Sequence, residues 1–243
     1  MKPIFFVPFL LAAFSFCAFG EEPSPQPEGK VPRRRMVLPP EAFTQPTNHL
    51  LVVNLDSAVE QTWLTNQCAY MQRQLMVNVK WMDRKLAENE SLSNLRGLVS
   101  AIRAEDPLAP MVLLLAKGPD LAPIMASPYE YWACMDAGWV EAGGGEPALI
   151  QDRMGKRLFQ TLGFCIGAGN RMEREAVMRF TPTPAALDDA LSHGFHPLNS
   201  NVFSVVAQGI GLETIRLRPR KELLEIGILK PRTNAVPATV EKP

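Results

Sequence analysis

Apolar and amphipathic segments alternate between positions 49 and 115, and this order constrains the fold more than any other feature of the chain. Residues 49–55 and 111–115 are almost continuously apolar, which is typical of buried strands. Residues 76–82 alternate instead, with Val77, Val79 and Trp81 on one face of a strand. Helical patterns separate these segments, so the sequence predicts an α/β fold with a mixed, largely parallel sheet and packed helices.

Capping residues mark where the two intervening helices begin. Asp56 or Ser57 can cap a helix that runs to about Leu75. Ser93 can cap the second helix, and Pro107 ends it. A capped helix between each pair of strands is what parallel strand pairing requires.

The second half of the folded region is predicted to be mainly helical. Residues 131–140 are expected to form one further strand, because the run is apolar and aromatic and precedes a glycine turn. A long helix with an apolar stripe is expected from about Pro147 to Cys165. C-terminal helices are expected over residues 201–215 and 221–229, packed across the sheet domain.

The N-terminus has the pattern of a secretory signal peptide. Lys2 precedes an apolar run over residues 4–19, and small residues stand at positions 18 and 20. The run is short for a membrane anchor, so no integral membrane segment is expected after cleavage. A lipidated Cys17 is the alternative, although residues 14–16 include Phe14 and Phe16, and lipidation favours small side chains before the cysteine. We therefore predict an exported protein, periplasmic or extracellular.

Composition divides the rest of the chain into three parts. Residues 21–47 are rich in proline and are expected to be a disordered linker, residues 48–230 one domain, and residues 231–243 a flexible tail. The 25 Lys and Arg residues balance the 25 Asp and Glu residues and are scattered. This distribution does not indicate a basic groove, so no nucleic-acid partner is expected.

A segment at residues 160–178 has the spacing of a zinc-protease site but not its metal-binding residues. Such a site needs two His one helical turn apart, a Glu beside the first, a glycine turn and a third His. Those positions, with the later methionine of the motif, are occupied here by Gln160, Thr161, Phe164, Gly167, Asn170 and Met178. The segment resembles the catalytic motif of archaemetzincin-like (metzincin) zinc metalloproteases in which the zinc ligands are lost.

The resemblance implies a metzincin-like α/β domain and also says what is missing from it. Gln160 is a poor zinc ligand and Phe164 is none, although both keep the spacing that places two ligands on one helix face. Thr161 has no useful basicity in place of the general base. We therefore expect no catalytic residue, no metal and no cofactor in this segment.

Archaemetzincin-like chains also carry a structural zinc site built from four cysteines. The resemblance places those positions at Arg171, Ala176, His196 and Asn199, which cannot form a thiolate site. The two sets of substitutions lie in register with one motif. Both zinc sites are therefore expected to have been lost together.

Two other kinds of chemistry remain open. His193 and His196 could share a metal, and Cys165 could act as a nucleophile with one of them as its partner. Cys68, Cys134 and Cys165 are an odd number after signal cleavage, and Cys134 could pair with Cys165. The sequence thus predicts an exported, non-catalytic pseudo-metalloprotease with a binding or structural role and a possible peptide or protein partner. The alternative is an active exported hydrolase with an unidentified site, for which Cys165 is the candidate nucleophile.

Overall fold

The computed structural model describes residues 38–171, 173 and 176–229. The predicted signal peptide, the predicted linker up to residue 37, residue 230 and the predicted tail over residues 231–243 lie outside the described residues. The described part belongs to one compact unit.

A five-stranded sheet forms the centre of this unit, with strand order β2-β1-β3-β5-β4. The strands are β1 (Leu50–Leu55), β2 (Val79–Arg84), β3 (Met111–Ala116), β4 (Ile124–Ser127) and β5 (Trp132–Asp136). Strands β2, β1, β3 and β5 run parallel, whereas β4 pairs with β5 in the antiparallel direction. The predicted mixed, largely parallel sheet is confirmed.

Helices cover both faces of the sheet, as parallel connections require. They are α1 (Gln61–Leu75), α2 (Leu95–Glu105), α3 (Ala137–Glu141), α4 (Pro147–Cys165), α5 (Pro197–Gly209) and α6 (Arg220–Glu225). The prediction for α4 has the observed bounds. The C-terminal helices are present, but α5 begins at Pro197, earlier than predicted, and α6 ends at Glu225.

The prediction of a single strand over residues 131–140 is wrong. Only Trp132–Asp136 is extended, and Asp136 then caps α3 by accepting a hydrogen bond from the Gly138 backbone N–H at 2.9 Å. An apolar run does not distinguish a buried strand from a buried helix. Here Asp136 lies within the run and caps a helix, so the strand ends at this residue. The sequence analysis also missed β4, which forms a hairpin with β5.

The predicted caps of α1 and α2 are also corrected. Asp56 and Ser57 have φ angles of 48° and 57°, so they form a left-handed turn after β1, and α1 begins after Glu60. Asn94 rather than Ser93 caps α2, because its side chain accepts a hydrogen bond from the Gly97 N–H at 3.1 Å.

Two apolar layers pack on opposite faces of the sheet. The β5 side chains alternate between them: Ala133 and Met135 join the layer with α1 and α4, whereas Cys134 joins the layer with α2. Cys165 belongs to the first layer, so the sheet separates it from Cys134. The possible pairing of these two cysteines is therefore not formed, and both thiols are free.

Part of the stretch assigned to the linker packs against the C-terminal segment. The Thr44 N–H donates to the Arg216 carbonyl and the Arg218 N–H to the Ala42 carbonyl, both at 2.8 Å, and Ala42 is fully buried. These long-range backbone hydrogen bonds give residues 42–44 a fixed place. Within residues 38–229, none of the described helices is long and apolar enough to cross a membrane.

Candidate functional site

The end of α4 has the geometry expected of a helix that must stop and turn. Gly167 has a φ angle of +73°, which favours glycine because it has no Cβ. Its N–H donates to the Phe164 carbonyl at 3.1 Å, and the Ala168 N–H donates to the Gly163 carbonyl at 2.8 Å. This pair of hydrogen bonds is a Schellman motif, so Gly167 is explained by chain reversal alone.

A cavity of about 760 Å³ lies between the C-terminal half of α4, the outer strand β4 and the segment that follows the glycine turn. Its walls are mostly apolar. Its lining residues include Ile124, Trp139, Arg157, Gln160, Phe164 and Arg179. The cavity therefore lies at the position where the archaemetzincin-like motif would hold its metal.

The Gln160 amide is fully used in hydrogen bonds inside the protein. Its Nε2 donates to the carbonyls of Val177 and Arg179, at 2.8 and 3.0 Å. Its Oε1 accepts from Arg157 Nη1 at 2.8 Å and from Thr181 Oγ1 at 3.2 Å. An amide makes four such bonds at most, so Gln160 ties α4 to residues 177–181 and has no capacity left for a ligand.

The other residues at the catalytic positions have separate locations. Thr161 is fully buried, and its hydroxyl donates to the Arg157 carbonyl of its own helix at 2.9 Å. Phe164 is half-buried and lines the cavity together with the exposed Asn170. The structure brings Gln160, Phe164, Gly167 and Asn170 to one cavity, whereas the Thr161 side chain is turned into the helix packing.

Met178 packs beneath α4 as the resemblance implies for the methionine of the motif. It is fully buried, and a Cβ on Gly163 would overlap its sulfur and methyl carbon. Gly163 is therefore the position on α4 that makes room for Met178. This contact fixes the floor of the cavity by packing alone.

Arg157 is a buried cation in the wall of the cavity. Only 6% of the residue is exposed, and its guanidinium lies 4.2 Å from the centre of the Trp139 ring. Nη1 donates to Gln160 Oε1 and, at 3.1 Å, to Thr181 Oγ1. Burial lowers the pKa of Arg157 to about 10, so the side chain is still charged at neutral pH.

The four positions matched to the structural zinc site do not converge on a metal. Arg171 Nε donates to Asn199 Oδ1 at 3.2 Å, which links the loop after α4 to the first turn of α5. Ala176 is buried, and His196 is exposed and caps α5 by accepting from the Leu198 N–H at 3.4 Å. A hydrogen bond between Arg171 and Asn199 thus joins two of these four positions.

The alternative sites of the sequence analysis have structural roles. His193 contacts the Asp152 carboxylate on α4, while His196 serves as the α5 cap, so the two imidazoles have different partners. Cys165 is fully buried, and this burial raises the pKa of its thiol. A reactive cysteine has an exposed thiol with a lowered pKa, and Cys165 has the opposite properties.

The donor set at the cavity does not fit zinc. Over residues 38–171, 173 and 176–229, no three His, Cys, Asp or Glu side chains lie close enough together to hold a metal ion. Around the cavity itself, the amide of Gln160 is already saturated and Arg157 is a cation that would repel a metal.

Two solved structures have a fold similar to that of this chain. The zinc-dependent peptidase from Methanocorpusculum labreanum superposes with a TM-score of 0.51 at 15% identity, covering 63% of this chain and 99% of that one. The archaemetzincin from Methanopyrus kandleri superposes with a TM-score of 0.52 at 19% identity, covering 71% of this chain and 99% of that one. The chain thus has an archaemetzincin-like fold, as the resemblance implied.

Comparisons of sequence add nothing to this result. No protein-family profile matches the chain, and no curated protein matches it either. At such low identities the similarity to solved structures concerns the fold.

Sequence reasoning missed two charged residues of the cavity. Arg157 and Arg179 were not singled out, although Arg157 stands one helical turn before Gln160. The sequence did contain a signal for Arg157: it lies next to the apolar stripe of a helix that also carries the cations Arg153 and Lys156. Every residue of α4 from 153 to 163 is buried, so this part of the helix has no solvated face for these charges.

Proposed function

We propose that this chain is a non-catalytic relative of archaemetzincin-like zinc proteases, with a cleft that binds a ligand instead of a metal. The observation that carries the proposal is the saturated amide of Gln160. It stands at the position of the first His and makes four hydrogen bonds to residues 157, 177, 179 and 181. A residue at a metal site has thus become a link between α4 and the following segment.

The residues kept in the motif are those that packing requires. Gly167 closes the helix at a positive φ angle, and Gly163 makes room for the buried Met178. Neither contact needs a metal. The cavity of about 760 Å³ is of a size that commonly receives small ligands.

The second set of positions supports the same proposal. A structural zinc would hold the loop after α4 against α5, and a hydrogen bond between Arg171 and Asn199 makes this link here. We infer that side-chain hydrogen bonds have replaced zinc in both places. The vestigial positions are then Gln160, Thr161, Phe164, Gly167, Asn170 and Met178 at the first site and Arg171, Ala176, His196 and Asn199 at the second.

Zinc binding tests the proposal directly. The full chain is purified, treated with a chelator, and titrated with zinc by isothermal calorimetry, with metal content measured in parallel. We expect no stoichiometric zinc. A variant with Gln160→His, Thr161→Glu, Phe164→His and Asn170→His serves as the positive control, with Arg157→Met added because a buried cation would oppose the metal.

A cleavage assay with an unfolded protein substrate tests the alternative function, an active hydrolase. We expect no cleavage with or without chelator, and no effect of Cys165→Ala. One bound zinc per wild-type chain would overturn the proposal, and so would cleavage that the chelator or the Cys165→Ala change abolishes. Thiol-dependent cleavage would establish the Cys-based hydrolase instead.

We also propose that the protein is exported, periplasmic or extracellular, on the strength of the apolar run at residues 4–19. Mass spectrometry of the protein expressed in a bacterial host should find an N-terminus at or near residue 21. An uncleaved chain in the cytoplasmic fraction would contradict this proposal.

A further inference from the structure

Arg157 has no carboxylate partner in the part of the chain that the structure describes. Its acceptors there are Gln160 Oε1 and Thr181 Oγ1, and both bind Nη1. Its Nε is buried and has no hydrogen-bond acceptor among the described residues. Because both acceptors bind Nη1, the edge of the Arg157 guanidinium formed by Nε and Nη2 has no partner among the described residues.

That unpaired edge has the shape of a carboxylate site. The N–H groups of Nε and Nη2 point in parallel from a planar guanidinium, which matches the two oxygens of a carboxylate. The guanidinium lies over the Trp139 ring at 4.2 Å, and this cation–π contact uses none of its N–H groups. The donor fork is therefore fixed in place before any ligand arrives.

The surroundings of Arg157 favour an anion. Among the described residues around the cavity there is no Asp or Glu, and Arg179 adds a second guanidinium. Arg179 Nη1 lies 3.5 Å from Asp189 Oδ2 but is buried without a hydrogen-bond acceptor in the described structure. Asp136 is the nearby carboxylate that acts on Arg157, and it already accepts hydrogen bonds from backbone N–H groups.

We propose that the cleft binds a carboxylate carried on an apolar body, with the Nε and Nη2 edge of Arg157 pairing with the two carboxylate oxygens. The apolar walls, which include Ile124 and Phe164, would contact the body of the ligand. Such a carboxylate comes either from a free organic acid or from the C-terminus of a peptide. This inference rests on the proposed binding role of the cleft.

A carboxylate fits better than a phosphate. Arg157 supplies one planar fork, and a phosphate with nearly two charges and more oxygens would need further donors. The cavity walls are mainly apolar, and the half-exposed Arg179 already lies near Asp189. A ligand with a single charge and an apolar body therefore matches both the charge and the lining.

Calorimetric titration of the full chain with three probes tests the proposal. The probes are 3-phenylpropionate, the dipeptide acetyl-Leu-Phe with a free C-terminus, and the same dipeptide as a C-terminal amide. We expect at least one of the two acids to bind, and the amide to bind about ten- to hundredfold more weakly than the free dipeptide. The acid that binds more tightly identifies the source of the carboxylate: a free organic acid or the C-terminus of a peptide. The Trp139 indole N–H signal in an NMR titration should shift with the same affinity.

Matched variants separate the roles of charge, shape and packing. Arg157→Met keeps the volume and should abolish acid binding, whereas Arg157→Lys keeps the charge but loses the fork and should weaken it. Arg73→Met removes the same charge from an exposed position on α1 and should leave binding unchanged. A thermal unfolding curve for each variant shows that its fold is intact.

Equal and measurable affinity for the free and amidated dipeptides would overturn the carboxylate assignment, and so would undiminished acid binding by Arg157→Met. Either one would leave a binding role for the cleft in place. Failure of both acids to bind at millimolar concentration would also overturn the assignment. Stoichiometric zinc in the wild-type chain, by contrast, would remove the proposed function itself, so the two failures are distinguishable.

Discussion

Two arginines one turn apart on α4 are equally buried but have opposite surroundings. Arg153 is 4% exposed and Arg157 is 6% exposed. Arg153 donates from Nε and Nη2 to the two oxygens of Asp188, at 2.7 and 2.6 Å, and from Nη1 to the Gly144 carbonyl at 2.7 Å. Arg157 has neutral acceptors and the Trp139 ring instead.

The difference appears in the direction of the pKa shifts. The hydrogen bonds that Arg153 donates to Asp188 raise the pKa of Arg153, whereas burial lowers that of Arg157. The charge of Arg153 is thus compensated within the fold, and Arg153 holds the chain near Asp188 against α4. The charge of Arg157 is compensated only in part, and it faces a cavity. Within one helix, the first arrangement is what stability requires, and the second is typical of a binding site.

Arg153→Met should have the largest effect on stability. It removes the ion pair with Asp188 and leaves the Gly144 carbonyl without its donor. Breaking a buried pair is costly, but Asp188 is 39% exposed and can be hydrated, so we expect a loss of about 2–4 kcal/mol in the free energy of unfolding. Urea denaturation measures this loss, with the exposed Arg73→Met as the control. A loss no larger than that of the control would remove the contrast between the two arginines.

Gln160→Leu should have the next largest effect. It leaves the carbonyls of Val177 and Arg179 without donors and takes an acceptor from Arg157. Unpaired buried groups of this kind cost about 1–3 kcal/mol. The measurement is again the free energy of unfolding, made in the wild-type and the Arg157→Met backgrounds. The loss should be smaller in the second background, and equal losses would show that Gln160 does not support the Arg157 charge.

The sequence predicted α4 well and its charges poorly, and both results have a physical reason. Pro147 at the start, the apolar periodicity and Gly167 just past the end are local signals that act within one helix. The environment of Arg157 depends on Trp139 and Thr181, which other parts of the chain supply. No spacing rule links those positions, so the sequence could not show a buried cation.

The missed strand β4 has a similar explanation. Its four residues are only partly buried and have weak strand patterning, and their pairing with β5 fixes them. The spacing of the motif at residues 160–178, in contrast, predicted which residues meet at the cavity. Gln160, Phe164 and Asn170 all line it, because a helix and a tight turn convert spacing into position. The Thr161 hydroxyl is instead bonded within the helix.

The pH dependence of stability offers a smaller test of the same contrast. The hydrogen bonds from Arg153 lower the pKa of Asp188 below its usual value of 3.8. A lowered carboxyl pKa contributes stability above the unfolded value, and this contribution is lost as the pH falls through the folded value. Stability should therefore fall below about pH 4 by about 1 kcal/mol or less, because Asp188 is partly exposed. Urea denaturation of Asp188→Asn over this range should show a flatter dependence, and an unchanged slope would contradict the assignment.

Arg157→Met should have the smallest effect on stability. Replacing an incompletely paired buried charge by an apolar side chain of similar size is often neutral or stabilising. The substitution also removes the contact with Trp139 and the hydrogen bonds that Arg157 donates to Gln160 and Thr181, and these losses are destabilising. We expect a net change within about 1 kcal/mol, measured by urea denaturation beside Arg153→Met. A loss as large as that of Arg153→Met would show that Trp139 and the neutral acceptors suffice to make Arg157 a structural cation. The fold alone would then explain both arginines, and the cleft would need no anion.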